Sequence, residues 1–225
     1  IADFIRTRPN IAGGQSYHNA GGMILRGPGA SYRESDYPRR DVATYESIQD
    51  AGVEMLPFYD KFVIHADLYT VHGGFVNWLA EGLGVISFTN ELWSDKRILQ
   101  NGQVPDQEGR MRFEDRVLFG QTFDEFTEFD HPDLGPVLIG GGSKWWSRNP
   151  PPFMNEEEAH RNFAFTVFHA EQMPELRFED LEITPLDEGL WQIEVTVLND
   201  RLIPTRTRIA AEKRIGLPDF ITLET

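Results

Sequence analysis

Along residues 1–175, some segments have the spacing of apolar residues that is typical of strands, and others have the spacing that is typical of helices. Helices are predicted over Asp41–Leu56 and Asn155–Met173, each with its first residue as the N-cap. Polar stretches that pass into apolar, β-branched or aromatic runs predict strands over Ser16–Leu25 and Phe62–Val71. This mixture of elements predicts an α/β fold.

Shorter elements fill the space between these four. The pattern predicts a short helix at Phe75–Glu81 and strands at Gly84–Phe88 and Pro136–Ile139. The stretch Asn101–Glu128 has no clean periodicity and is interpreted as a surface excursion with at most a pair of helical turns. The buried face predicted for the last helix consists of Phe163, Ala164, Val167 and Phe168.

The pattern changes after Pro174, where apolar and polar residues alternate with a period of two. Turn residues at Asp187–Gly189 and at Asn199–Asp200 divide this part into three predicted strands, the last over Thr205–Lys213. We therefore predict a domain over residues 1–175 and a small antiparallel β module over 176–225. About 50 residues are few for a β-sandwich, so an incomplete module is one interpretation.

Composition narrows the partners that the chain can have. Thirty-six acidic residues against 21 basic ones give a net charge of -15, which disfavours nucleic acid and anionic lipid surfaces. No apolar run is long enough to span a membrane. The chain has no Cys, so only His, Asp and Glu remain as metal ligands.

Two segments carry candidate chemistry: SYHNAGGMILRGPG at Ser16–Gly29 and LYTVHGGFVNWLAEGLGVISFTNELW at Leu68–Trp93. The second resembles the zinc carboxypeptidases of the carboxypeptidase A type, in which a Tyr, a Gly-Gly turn, a Trp-bearing short helix and S-F-T-x-E-L occur in this order. The separation of Tyr69 and Glu91 also matches that family. The resemblance extends over Ile1–Met173, and its most specific part is SFTNELW.

The resemblance implies the C-terminal half of a three-layer α/β/α mixed-sheet domain that removes C-terminal residues from peptides. It implies that His18 is a zinc ligand and that Glu91 acts first as general base and then as general acid. It places Tyr69 over the substrate, Val76 at the floor of a pocket and Thr89 on the substrate-binding side. An apolar residue at the position of Val76 favours aliphatic or aromatic C-terminal side chains.

One part of this metal site is missing from the sequence. Catalytic zinc sites of this kind use two His and one Glu, with water in the fourth position. The resemblance expects two of these ligands in an H-x-x-E motif, which occurs at none of the six His residues. The isolated chain is therefore expected to be inactive, with its own N-terminal segment, absent here or clipped and still bound, as a partner.

The location of the protein is set only by the resemblance, which favours a secreted or periplasmic enzyme. The sequence opens at Ile1 without the charged and apolar regions of a signal peptide, so any such leader has been removed or never existed. A protein without Cys fits either side of a membrane, so composition leaves the compartment open.

A second hypothesis is a non-catalytic module that binds peptide or glycan near Trp145 and Trp146. Taken singly, His18, Glu91 and Tyr69 are more typical of ordinary strand-end and rim residues than of a catalytic site. His65, His72 and His131 are interpreted as structural or surface residues. An H-x-x-E motif upstream of Ile1 in the natural gene would favour the enzyme, and a natural start near Ile1 would favour the binding module.

Overall fold

A computed structural model describes residues 1–224 of the chain. It contains eight strands and seven α-helices within those residues, joined by 3₁₀ and π-helical turns. In chain order these are α1 Ala2–Arg6, β1 Gly13–Asn19, β2 Met23–Arg26, α2 Arg39–Met55, β3 Asp60–Val63, α3 Phe75–Asn77, β4 Ile86–Leu92, α4 Gln107–Arg116, β5 Phe123–His131, β6 Gly135–Gly142, α5 Lys144–Arg148, α6 Asn155–Glu171, β7 Leu176–Asp187, β8 Leu190–Asn199 and α7 Arg208–Glu212. None of these helices is long and apolar enough to cross a membrane.

The central sheet has four strands in the order β1-β4-β2-β3. Strand β1 runs parallel to β4, whereas β2 runs antiparallel to β4 and parallel to β3. Strand β4 thus lies inside a mixed sheet, and β1 forms one edge of it within the described chain. The α/β class predicted from the sequence is confirmed by this arrangement of helices around a mixed sheet.

The run Ser16–Leu25, predicted as one strand, is two strands on opposite sides of β4. The chain turns between them at Gly21 and Gly22, and Gly22 N donates to the backbone oxygen of Glu91 at 2.9 Å. Gly22 has a φ of 67°, and a Cβ there would collide with Ser94. The single-strand prediction is wrong because the turn is fixed by hydrogen bonds to another strand, which a local pattern does not reveal.

The two faces of the sheet bury different helices. On one face, Ile24 and Phe88 pack with Ile48 of α2 and Phe165 of α6. On the other face, a smaller cluster joins Leu25 to residues of α3 and of the π-helical turn Ile64–Leu68. Helical segments therefore cover both faces of the sheet, although α3 is a single turn.

The helix predicted over Asp41–Leu56 forms as α2, but its cap differs from the prediction. The helix begins at Arg39, and the carboxylate of Asp41 accepts hydrogen bonds from the backbone N–H groups of Arg208 and Ile209, both at 2.8 Å. Asp41 thus caps the distant helix α7 rather than its own. Asn155 is likewise inside α6, which is preceded by a 3₁₀ turn at Pro152–Met154.

Three other strand and loop predictions change in the structure. The strand predicted over Phe62–Val71 ends at Val63, where the Asp67 carboxylate accepts from Val63 N at 2.7 Å and the chain enters the π-helical turn. The surface excursion contains helix α4, which corresponds to the predicted pair of helical turns, and the start of strand β5, which was not predicted. The strand predicted over Thr205–Lys213 is helix α7.

The buried face of α6 is also rotated from the predicted one. Its buried residues are Glu158, Asn162, Phe165 and His169, whereas Phe163 is 63% exposed. The prediction assumed that the largest apolar side chains face the core. The helix instead buries three polar side chains, and two of them, Glu158 and Asn162, bond to groups at the end of β4.

The predicted β module corresponds to a hairpin, β7–β8, with its turn at Asp187–Gly189 as expected. The chain then returns to the main core, where Ile203 is buried with α2 and α6 and Ile203 N donates to the Gln172 oxygen. Residues 176–224 therefore contain one hairpin and a segment that includes α7 and packs with the first domain.

Candidate functional site

The register of β1 against β4 places three of the candidate residues near the carboxyl end of β4. His18 in β1 lies opposite Glu91 in β4, and Ser16 lies opposite Thr89 two residues earlier. Side chains two residues apart in a strand point to the same face. His18, Glu91 and Thr89 therefore share one face of the sheet, the face opposite to Asn90 and α6.

His18 and Glu91 are in direct contact. The imidazole Nδ1 lies 3.1 Å from one carboxylate oxygen of Glu91 and 3.2 Å from the other. The Glu91 side chain is 15% exposed and the His18 side chain is 69% exposed. The pair thus joins a carboxylate at the sheet to an imidazole that faces solvent. The two residues are far apart in the sequence, and the β1–β4 pairing brings them together.

The other three predicted site residues lie at different depths. The hydroxyl of Thr89 is 2.7 Å from that of Ser16, so this side chain ties β1 to β4. Val76 is only 3% exposed and packs against Leu25 and Ile64, so it faces the core rather than an open cavity. Tyr69 is 68% exposed, and its ring has no hydrogen bond to His18 or Glu91.

The part of the chain that the structure describes brings at most two metal-ligating side chains together at this point. No group of three His, Asp or Glu residues that could hold a metal ion occurs in residues 1–224. A catalytic zinc ion requires three protein ligands. The described residues by themselves therefore do not fit a zinc site, and His18 would need ligands from elsewhere.

A buried polar network that the sequence analysis missed lies on the opposite face of the β4 end. The Glu158 carboxylate accepts from Arg97, from the Tyr59 hydroxyl and, at 3.0 Å, from Trp93 N. Glu158 is 4% exposed and Arg97 is 3% exposed. Asn162 donates to the Tyr59 oxygen and accepts from Asn90 at 2.8 Å. In the sequence, Glu158 is one of three consecutive Glu residues, and nothing local distinguishes it.

The edge strand β1 borders an apolar groove on the α6 side of the sheet. This groove has a volume of about 560 Å³, and Tyr17, Leu92 and Phe163 are among the residues that line it. The hydroxyl of Tyr17 hydrogen-bonds to α6 at Thr166 and at the Asn162 oxygen. The outer edge of β1 pairs with no strand in residues 1–224, so its backbone groups and the groove are open together.

Comparison with known proteins adds one match. Residues 175–225 match a family described as a domain of unknown function, DUF8731. This match covers the β7–β8 hairpin and the segment that returns to the core, and it states no activity. No curated protein matches the chain.

Proposed function

We propose that this chain is the C-terminal part of the catalytic domain of a zinc metallocarboxypeptidase, an enzyme that releases C-terminal residues from peptides. The observation that carries the proposal is the contact between His18 and Glu91, which the β1–β4 register brings together at the carboxyl end of a central strand. The resemblance of SYHNAGG and of SFTNELW to that family names the same two residues independently of the geometry.

The two residues have complementary roles in this proposal. A bound zinc ion would polarise the peptide carbonyl and favour ionisation of a water molecule. The Glu91 carboxylate would accept the proton of the attacking water and then donate it to the leaving amine. His18 would be one imidazole ligand of the metal. Tyr69 is exposed and would cover the substrate, and Thr89 would face it beside Glu91.

The remaining zinc ligands would come from residues outside this sequence. Strand β1 offers a place for them, because its free edge adjoins His18 and an apolar groove. A strand added along β1 would bond to its open backbone groups and reach the exposed imidazole. The chain alone is therefore expected to bind zinc weakly and to leave peptides intact.

Elemental analysis and intact mass of the purified chain are the first test. We expect no stoichiometric zinc in a sample that has only the mass of this chain. Stoichiometric zinc in such a sample would contradict the proposed division of the site. Zinc together with the mass of a second chain would indicate a clipped but complete enzyme.

The whole natural protein then tests the assignment of roles. We expect one zinc per protein and release of C-terminal residues from peptides. His18→Ala should lose the zinc, whereas Glu91→Gln should keep it and lower the release rate at least about 10²-fold, as expected for removal of a general base. His160→Ala, an exposed histidine on α6, is the matched control and should change neither property. Full activity of Glu91→Gln would overturn the proposal.

A second candidate function is a non-catalytic module that binds peptide or glycan. It is favoured by Trp145, which is 60% exposed on α5 close to the groove residue Asn149. Exposed aromatic rings offer a stacking surface to sugars and apolar side chains. If the whole protein lacks zinc and peptidase activity but binds such a ligand, and Trp145→Ala weakens the binding, this candidate replaces the enzyme.

A further inference from the structure

One face of the β7–β8 hairpin is apolar. Residues two apart in a strand point to the same face, and along β8 the side chains of Trp191, Ile193 and Val197 alternate with polar ones. In β7, Ile183 lies directly opposite Ile193, and Phe178 lies directly opposite Val197. Because opposite residues share a face, both strands contribute large apolar side chains to the same surface.

The opposite face of the hairpin is polar and mostly acidic. Glu182 lies opposite Glu194, and Glu179 lies opposite Thr196. Arg177 forms an ion pair with Glu179, two residues further along β7. The charges at these four paired positions therefore point away from the apolar face.

The apolar face is open to solvent in the described chain. With Leu176, two residues before Phe178, it has six large apolar side chains, each 39–65% exposed. Together they expose roughly 650 Å², which is more than the ~300–600 Å² of the largest apolar patch on a typical monomer. A two-stranded hairpin alone is also only marginally stable in water. A patch of this size indicates an interaction surface.

The base of the hairpin is fixed to the main domain. Gln172, at the end of α6, accepts a hydrogen bond from Ile203 N at 3.0 Å, and Ile203 is buried in the main core. At the base itself, Glu175 N donates to Asn199 Oδ1 at 3.0 Å. The residues before β7 and after β8 are thus held together, so every copy of the chain presents the apolar face in the same way.

We propose that this apolar face is the interface of a homodimer, in which the hairpins of two copies pack face to face. Two such faces would bury roughly 1,300 Å², within the ~1,200–2,000 Å² of specific, stable interfaces. Two sheets that stack with their strands within about 30° of each other enclose an apolar core of this kind. A two-fold axis sets the same patch of both copies against each other.

The distribution of charge favours a second copy as the partner. Each chain has a net charge of -15, so two copies repel one another over most of their surfaces. The hairpin face avoids this repulsion, because the acidic residues at its paired positions lie on the side away from the partner. The dimer does not depend on the proposed zinc site.

Sedimentation equilibrium of the 225-residue chain between about 1 and 200 µM is the first test. We expect a monomer–dimer equilibrium that is half complete at or below about 50 µM, since interfaces of this area reach at least micromolar affinity when well packed. A chain that is still monomeric at about 200 µM, or that forms assemblies without a defined size, overturns the proposal.

Two adjacent positions of β8 give a matched pair of variants. Ile193→Lys places a charge on the apolar face and should weaken the dimer at least about 30-fold, because an ammonium would be buried without a partner. Gln192→Lys makes the same change of net charge on the polar face and should leave the affinity within about twofold. Circular dichroism checks that both variants fold. Equal effects of the two substitutions overturn the proposal.

A dilution series followed by methyl NMR locates the interface in the unsubstituted chain. We expect the methyl signals of Ile183 and Ile193 to shift with concentration, whereas those of the core residue Ile48 stay constant. Ile139, which is 49% exposed on the separate β5–β6 hairpin, is the control for another apolar surface. Shifts at Ile139 without shifts at Ile183 and Ile193 would place the contact elsewhere and overturn the proposal.

The whole natural protein gives the last test. We expect it to be a dimer that Ile193→Lys dissociates and Gln192→Lys does not. A whole protein that stays monomeric at about 200 µM would show that some other part of its own chain covers the face, and the proposal would then be wrong.

Discussion

Glu91 and Glu158 are two carboxylates at the same end of β4, and they have opposite surroundings. Glu158 is buried and is bonded to a guanidinium, a hydroxyl and a backbone N–H group. Glu91, on the other face, contacts one exposed imidazole. The Glu158 carboxylate already accepts hydrogen bonds from several groups of the protein, whereas the Glu91 carboxylate can still accept hydrogen bonds from a ligand. This difference separates a structural acid from a candidate catalytic one, although both are Glu residues near the same strand.

Removal of the buried Arg97 guanidinium should have the largest effect on stability, and it tests whether Glu158 has a structural role. Arg97→Ala leaves the buried Glu158 carboxylate without its charge partner, which is expected to destabilise the fold by about 3–5 kcal/mol. The matched control, Arg112→Ala, removes an exposed pair with Glu108 and should cost less than about 0.5 kcal/mol. Urea unfolding followed by circular dichroism measures both. Equal costs for the two variants would contradict a structural role for the network.

A pH titration probes a third buried group under the same strand. His169 packs edge-on against Phe88, and burial lowers its pKa from 6.5 to about 4. The unfolded state therefore binds more protons between these values, so stability present above about pH 6.5 is lost as the pH falls towards 4. Between pH 7 and pH 4, His169→Phe should lose up to about 3 kcal/mol less than the unsubstituted chain.

Urea unfolding at a series of pH values measures this effect. The control is His160→Phe, at an exposed position of α6, which should follow the unsubstituted chain. The same pH dependence in all three proteins would show that His169 is not held neutral by burial.

Loss of a single hydroxyl tests the network more finely. Tyr59→Phe removes the donor to Glu158 and the acceptor for Trp93 N, and it should cost about 2 kcal/mol because a buried carboxylate loses one partner. Tyr32→Phe removes a surface hydroxyl 3.2 Å from His72 Nδ1 and is expected to be nearly neutral. Thermal unfolding of both variants decides the point, and a neutral Tyr59→Phe would argue against the shared role of this hydroxyl.

The smallest effect on stability is expected from a substitution at Glu91, which can be compared with the same substitution at Glu158. Glu91→Gln should change the free energy of unfolding by less than about 0.5 kcal/mol, because its partner is an exposed imidazole. The same substitution at Glu158 should be clearly destabilising, since the amide places an N–H group among donors. Urea unfolding of the two variants compares identical chemistry at two positions, and a larger loss at Glu91 would reverse the assignment.

The proximity of His18 and Glu91 agrees with the sequence segments that name them, whereas the strands around them differ from the prediction. The two segments with candidate chemistry name His18 and Glu91, and the structure places these residues in contact. The local pattern predicts one strand through Gly21 and Gly22, where the structure has two. Val76, expected at the floor of a pocket, is buried, and the next residue, Asn77, lines a cavity beside it.

The sequence by itself determined the features that depend on neighbours along the chain. Helix α2, the turn at Asp187–Gly189 and the mixed α/β character follow from local periodicity and turn residues. Only the tertiary structure decided that Asp41 caps α7 and that Glu158, rather than the Glu residues beside it, is buried. Both features depend on hydrogen-bond partners that are far away in the sequence, and sheet register and helix packing bring these partners close together.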